Sequence, residues 1–369
     1  MWSSTLRAYS ALRRTWLGQI VLALLAAQAT ILAVHFGGMG HDVSPAVMLG
    51  IAGWDYNSWT GNVIVPPGWT HGGTVSTGTG RFGGQSIKTN PGTFTLPSTT
   101  ATAIFGCAIN YTTTGEDIIG FDTSGGALIS RVQLTASGAL QVRDAANTVV
   151  ATGTTTGLTS TWMYVELKIF VNGASGTCEL HLNGVTEIAS TTGNFGSTNI
   201  GQVIIRSPSN HGQFDDFYCL DTTGSQNNTF KGDVRIVTQM PDGAGAHTQW
   251  TAAGGGSNYT KVNETLADGD TSYNSDSTPG DIDTYTFADV DAGATVHAAQ
   301  LVTYARKDDA NTRQIAAVLR QSSTDHVGAT KTMTSSYAFY GELYDTDGAG
   351  SAWTAATING DEFGVKEIA

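Results

Sequence analysis

The sequence predicts an all-β protein, a two-sheet sandwich followed by a smaller C-terminal β-domain and preceded by an apolar N-terminal stretch expected as a helix. Three observations carry this. Gly is abundant at 46 residues and only 13% of the chain is charged, whereas long helices are built from Ala, Leu, Glu and Lys, so strands joined by many turns suit the composition. From Trp162 to Val171, Met163, Val165, Leu167, Ile169 and Val171 face one way while Trp162, Tyr164, Glu166, Lys168 and Phe170 face the other, a period of two that a helix would scatter. Asn183-Gly184 separates two alternating runs, and Asn-Gly is the strongest short hairpin signal because a type I′ turn needs two positive φ angles. With 369 residues the chain is long enough for two cores.

Residues 1–47 are a distinct extension. Arg7, Arg13 and Arg14 precede an uncharged run that begins at Thr15 and lasts until His35, whose centre is Ile20-Val21-Leu22-Ala23-Leu24-Leu25-Ala26-Ala27. Three readings stay open. The run suits a signal h-region with Ala27-Gln28-Ala29 as cleavage site. It is also about the ~20 residues a membrane helix needs. Alternatively the true start is Met48, where a strand already begins.

Residues 48–224 read as the sandwich. Strands are expected at 101–111, 117–122, 127–135, 139–143, 162–171, 177–182, 185–188 and 200–206, with turns between them. Gly212-Gln213-Phe214-Asp215-Asp216-Phe217-Tyr218-Cys219-Leu220-Asp221 reads as the closing strand, which needs sheet on both sides to bury its aromatics. Residues 225–369 form the second unit. Gln226-Asn227-Asn228 is a polar, exposed linker, and strands are expected at 230–237, 284–287, 296–306, 312–320, 336–344 and 363–365. The acidic run 266–283 is a surface loop. Asp242-Gly243-Ala244-Gly245 with Trp250 and Asp347-Gly348-Ala349-Gly350 with Trp353 form a short echo, expected as two matching corners, each a Gly turn feeding a Trp-led strand.

Gly80-Arg81-Phe82-Gly83-Gly84-Gln85-Ser86-Ile87, Trp162 to Lys168, Leu180-His181-Leu182-Asn183-Gly184-Val185 and Phe214-Asp215-Asp216-Phe217-Tyr218, in that order, resemble the laminin-G-like members of the concanavalin A-like superfamily over residues 48–224. The resemblance implies a jelly roll with its first and last strands adjacent. It also implies glycan binding in many members, sometimes with calcium, and a purely structural role in others. A structural calcium carries over only to Asp215 or Asp216, with Asp55 from the first strand; the residues themselves equally suit turn and backbone hydrogen bonds. The continuation through Phe230-Lys231-Gly232-Asp233-Val234-Arg235-Ile236, a Pro241-Asp242-Gly243 turn, Gln249-Trp250, Asn258-Tyr259 and Phe363-Gly364-Val365 resembles virion-associated proteins of tailed bacteriophages. The extension before Met48 departs from that pattern.

The sequence lacks the enzymatic signatures expected of such folds. None of the eight glutamates is followed two residues later by Asp, so the same-strand carboxylate pair of a laminarinase-like hydrolase is missing. Gly78-Thr79-Gly80-Arg81-Phe82-Gly83 matches a dinucleotide fingerprint by letter, but a β-rich run follows in place of a helix. The acidic stretches 268–283 and 345–348 do not fit an EF-hand, and Glu166 and Glu179 read as solvated charges. Trp162, Tyr164 and Phe170 share the face opposite the Met163 stripe, open to a sugar or to a neighbouring domain. Cys107, Cys178 and Cys219 are expected as buried free thiols, which favours assembly in a reducing cell. The net charge is −13, and residues 48–369 hold 15 basic and 30 acidic residues, the wrong sign for a nucleic-acid partner. The expectation is a non-enzymatic structural protein of a virion surface, on tail or capsid, with other virion proteins and further copies of itself as partners and host glycans bound through the jelly-roll domain. The alternative is a secreted or membrane-tethered bacterial carbohydrate-binding or adhesion protein.

Overall fold

The computed structural model describes residues 48–54, 67–72, 76–264 and 268–369, together with the backbone of 20–26. Within these residues the chain is almost entirely β. A seven-stranded sheet runs Val149–Thr152, Leu140–Arg143, Leu128–Leu134, Glu116–Asp122, Ile200–Ile205, Gly92–Thr100 and Trp69–His71. It faces an eight-stranded sheet of Val185–Gly193, Gly176–Leu182, Trp162–Phe170, Thr102–Tyr111, Gly212–Asp221, Gln85–Lys88 and Ser76–Thr79, with Met48–Ala52 on the closing strand. This is the expected jelly-roll sandwich. Met48–Ala52 pairs antiparallel with Gly212–Asp221, so first and last strands are neighbours. The Asn183-Gly184 hairpin is present, with φ of 50° and 77° at its two turn residues.

The period-two reading of Trp162–Phe170 holds residue by residue. Met163, Val165, Leu167 and Ile169 enter the core between the two sheets, beside Phe105, Phe121 and Phe217. The opposite face is covered at Tyr164 and Glu166 and opens to solvent only at its far end, Phe170. Tyr164 joins Ile104, Ala108, Tyr218 and Leu220 in a second apolar layer, shared with Val234, Ile236, Ala298 and Val302 of the C-terminal unit. Those partners lie on a four-stranded sheet of Val234–Gln239, Ile20–Ala26, Thr295–Ala305 and Ala338–Tyr344. Its other side, through Ala299, Leu301 and Ala305, packs on Ile315, Ala317, Leu319, Phe363 and Val365. These belong to a six-stranded sheet of Pro241–Thr248, Ile282–Phe287, Glu362–Glu367, Gln314–Gln321 and Thr324–Val327, with Lys331–Thr332 alongside Gln314–Gln321. Four sheets are thus stacked in succession, and the two units share an apolar layer.

Several expectations need correction. Ile20–Ala26, the middle of the stretch expected as a helix, is a strand parallel to both of its neighbours, and the rest of 1–47 lies outside the described residues. Among the described residues no helix is long and apolar enough to cross a membrane. Asn227 is not an exposed linker residue: its side-chain amide donates to His297 O at 2.8 Å and to the Asp345 carboxylate, which ties the connection down. The Pro241-Asp242-Gly243 turn is instead the start of an edge strand, where a proline costs no ladder bond. The echo is not structural either. Asp242 to Gly245 lies in that strand, Asp347 to Gly350 in a turn, and Trp353 leads into the short helix Ala355–Gly360. The two tryptophans nevertheless enter one core.

Candidate functional site

The residues expected at a calcium site form a clamp between the two units. Asp215 and Asp216 sit at a bulge of the closing strand, where Asp216 takes a positive φ of 49°. Asp215 Oδ2 accepts the Arg81 N–H at 2.9 Å, and its Oδ1 accepts the Asp216 N–H at 2.9 Å. Asp216 Oδ1 accepts the Ile236 N–H at 2.8 Å, and its Oδ2 lies 3.7 Å from the Arg81 guanidinium. Arg81 also pairs with Asp233 at 2.5 Å and donates to Val234 O at 3.3 Å. These carboxylates are surrounded by N–H donors and a cation, which is the reverse of a calcium cage. They do not fit the metal, and Asp55 lies outside the described residues. Among the described residues no three His, Cys, Asp or Glu side chains converge to hold a metal ion.

Glu166 completes the clamp. It is fully buried rather than solvated, because the C-terminal unit covers its strand face. Its Oε1 accepts the Tyr218 hydroxyl, the Lys231 N–H at 2.8 Å and the Gly232 N–H at 2.9 Å. Burial pushes its carboxyl above the usual range, opposed by those hydrogen bonds. Phe230 stacks on His181 with centroids 3.9 Å apart. The four stretches that carried the family resemblance therefore supply Arg81, Glu166, His181 and Asp216, all gripping residues 230–236.

The same packing removes the expected ligand face. Tyr164 is fully buried and its hydroxyl donates to Asp216 O at 2.9 Å. Trp162 packs partly against the shared layer, whereas Phe170 is 37% exposed at the other end of the strand, roughly 26 Å away at ~3.3 Å per residue. The three do not form one accessible surface. The three cysteines are buried and unpaired, and Cys107 Sγ donates to Asp215 O at 3.4 Å.

A cleft of about 530 Å³ opens on the C-terminal unit instead. Its floor includes Trp250, Tyr273, Met333 and Glu367, and its rim Asp270, Asp276, Arg306, Arg313 and Tyr337. The rim is held in place. Asp270 accepts the Tyr337 hydroxyl at 2.7 Å and Arg306 Nη2 at 2.9 Å, and these two donors hold its carboxyl below the usual range. The Tyr337 ring stacks on Tyr304 at 4.7 Å, and the Arg306 guanidinium lies 5.3 Å from its centroid. Arg313 pairs with Asp309 at 2.9 Å and holds that carboxyl down. Deeper in, Glu367 is 1% exposed; burial pushes its carboxyl up to about 7, with Arg313 Nη1 at 3.8 Å opposing the shift. Such a surface offers ring faces, fixed donors and fixed acceptors to a polar ligand.

Sequence reasoning did not find this cleft. Its residues come from segments 250–278, 306–313, 333–337 and 367, with no local motif among them. The acidic run 266–283 is no plain surface loop in its described part: Asn274–Ser275 pairs with Thr251–Ala252 and forms one wall. Asp347 and Asp268, from the calcium-like stretches, close their own turns by accepting backbone N–H groups.

No family profile and no curated protein matches the chain. Among solved structures, it is similar to domain 4 of AbnA, an extracellular GH43 arabinanase from Geobacillus stearothermophilus, with 16% identity over 48% of this chain and 93% of that one, at a TM-score of 0.34. It is similar also to the carbohydrate-binding module CBM66 from Bacillus subtilis, with 13% identity, 42% and 96% coverage and a TM-score of 0.30. A botulinum neurotoxin type C structure, from work on cell entry through two ganglioside molecules, aligns with 10% identity over 82% of this chain and 93% of that one, at a TM-score of 0.31.

Proposed function

We propose that this protein is a non-enzymatic structural protein of a tailed-phage virion surface, on tail or capsid, and that it contacts host glycans through the cleft of the C-terminal unit. The cleft is the observation that supports glycan contact. Tyr273 offers aromatic surface to the apolar side of a sugar, while Asp270, Arg306 and Arg313 present acceptors and donors, those of Asp270 and Arg306 braced by Tyr337. A saccharide needs this mixture of stacking and fixed hydrogen bonding. The jelly roll then acts as scaffold, clamped beneath the binding unit by Glu166, Arg81 and Asp216. Repeated copies supply affinity by multivalency, as expected for a contact protein without covalent chemistry.

Three unpaired buried thiols favour assembly inside a reducing cell over export, and so favour the virion reading over a secreted carbohydrate-binding protein. Glycan-array binding of the full chain, repeated with Tyr337→Ala, tests the cleft. Binding lost in the variant is expected, and binding unchanged by it places the ligand elsewhere. Release of reducing sugar from a bound glycan would make the protein a hydrolase. Immuno-electron microscopy of purified particles tests the location, with label on the tail or capsid surface expected.

A further inference from the structure

We propose that the interval between Val234–Gln239 and Thr295–Ala305 is a strand-acceptor slot whose occupant is the apolar segment Ile20–Ala26. The segment then serves the fold rather than a membrane or an export machinery. Among the described residues, Val234–Gln239 has no strand neighbour other than Ile20–Ala26, and the free edge of Thr295–Ala305 faces that same interval. Six rungs join Ile20–Leu25 to Val234–Gln239, and six join the segment to Thr295–Val302 with one irregularity between Val21 and Ala23.

The walls of the slot lie between the two cores. Val234, Ile236, Ala298, Ala299, Leu301 and Val302 are all buried. An empty slot there would leave two facing rows of backbone N–H and C=O groups unpaired and away from water, which folded chains avoid. Only an extended backbone can satisfy both rows at once, the mode of recognition known as β-augmentation. The occupant must be uncharged, because neither face of this sheet meets water at its centre. Ile20 to Ala26 is such a segment, and its Ile-Val start suits a strand. Parallel pairing requires a long crossover connection, and the 207 residues between Ala26 and Val234, which include the whole jelly roll, supply it.

The test uses the full chain. Amide hydrogen exchange on the unaltered protein is expected to show Ile20–Ala26 as protected as Thr295–Ala305; fast exchange there overturns the proposal. Ala23→Pro removes a ladder N–H from the middle of the inserted strand, at the rung whose register partners are Val237 and Ala299. It is expected to lower the melting midpoint by on the order of 5–10 °C and to deprotect Val234–Gln239, while Ala33→Pro does neither. An Ala23→Pro protein with unchanged midpoint and unchanged protection at 234–239 also overturns it. So does flotation of the full chain with phosphatidylcholine–phosphatidylglycerol vesicles that depends on residues 15–35.

Discussion

The two units differ in what they bury. The layer between the two sheets of the jelly roll is aliphatic and aromatic, with Trp69, Phe94 and Phe217 in mutual ring contact at centroid distances of 4.9 to 5.6 Å, and its buried Arg131 and Asp122 neutralise each other at 2.6 Å. Its inter-unit polar groups lie at the outer face, where Glu166, Asp215 and Asp216 accept hydrogen bonds from the neighbouring unit or its own loop. The C-terminal unit places acids inside. Burial pushes Glu342 up to about 8, Asp361 and Glu367 to about 7 and Asp283 to about 6. Glu342 is 3% exposed with Lys331 opposing the shift, and Asp283 accepts Tyr285 and Asn258 at 2.6 and 2.8 Å. The jelly roll pairs its buried Asp122 with a cation, whereas the second unit keeps acids such as Glu342 and Asp361 in its interior with their carboxyls raised by burial.

That contrast can be broken at its apolar end first. Phe217→Ala is expected to cost about 3–5 kcal/mol in urea unfolding, since the ring contacts both Trp69 and Phe94 and leaves a cavity in a fully packed core. A loss below about 1 kcal/mol would mean the jelly roll is not the rigid partner described. Next in size, Glu166→Ala leaves the Tyr218 hydroxyl and two backbone N–H groups buried without their acceptor, at about 2–3 kcal/mol. Calorimetry should then separate one transition into two, because the clamp joins the units.

The acid-bearing unit should respond to pH with a definite sign. Glu342, Asp361 and Glu367 have folded pKa values of about 8, 7 and 7, above the ~4 of the unfolded chain. From about pH 4 to 8 the folded state holds protons that the unfolded state has released, so stability falls as pH rises across that window and levels off above it. The melting midpoint should therefore be several degrees higher at pH 5 than at pH 8, at roughly 4 °C per kcal/mol for a unit of this size. Glu342→Gln sharpens this with the smallest effect. It is expected to change little at pH 5 and to stabilise by about 1 kcal/mol at pH 9, where the carboxylate would otherwise be buried and charged. An equal effect at both pH values would show that packing, not charge, governs that position.

The strands were legible because their signals are local. Alternation from Met163 to Ile169, the Asn183-Gly184 turn and the aromatic run before Cys219 each report on neighbours two residues away, and the backbone geometry of a strand is set on that scale. The candidate site was not legible for the opposite reason. Tyr337, Asp270, Arg306 and Glu367 meet only through sheet pairings up to a hundred residues apart, and nothing near any of them marks the meeting. Asp215 and Asp216 show the intermediate case: their position in the closing strand was correct, while their partners, Arg81 and the Ile236 N–H, came from distant segments and replaced a metal.

By itself, then, the sequence determined an all-β chain built on a jelly-roll sandwich. Tertiary structure alone decided which strand faces are covered. Glu166 and Tyr164 alternate with core residues as a solvated face would, and only the docking of Val234–Gln239 and Thr295–Ala305 turns that face into an interior. Alternation fixes two sides of a strand, but whether the second side meets water depends on what else the chain stacks upon it.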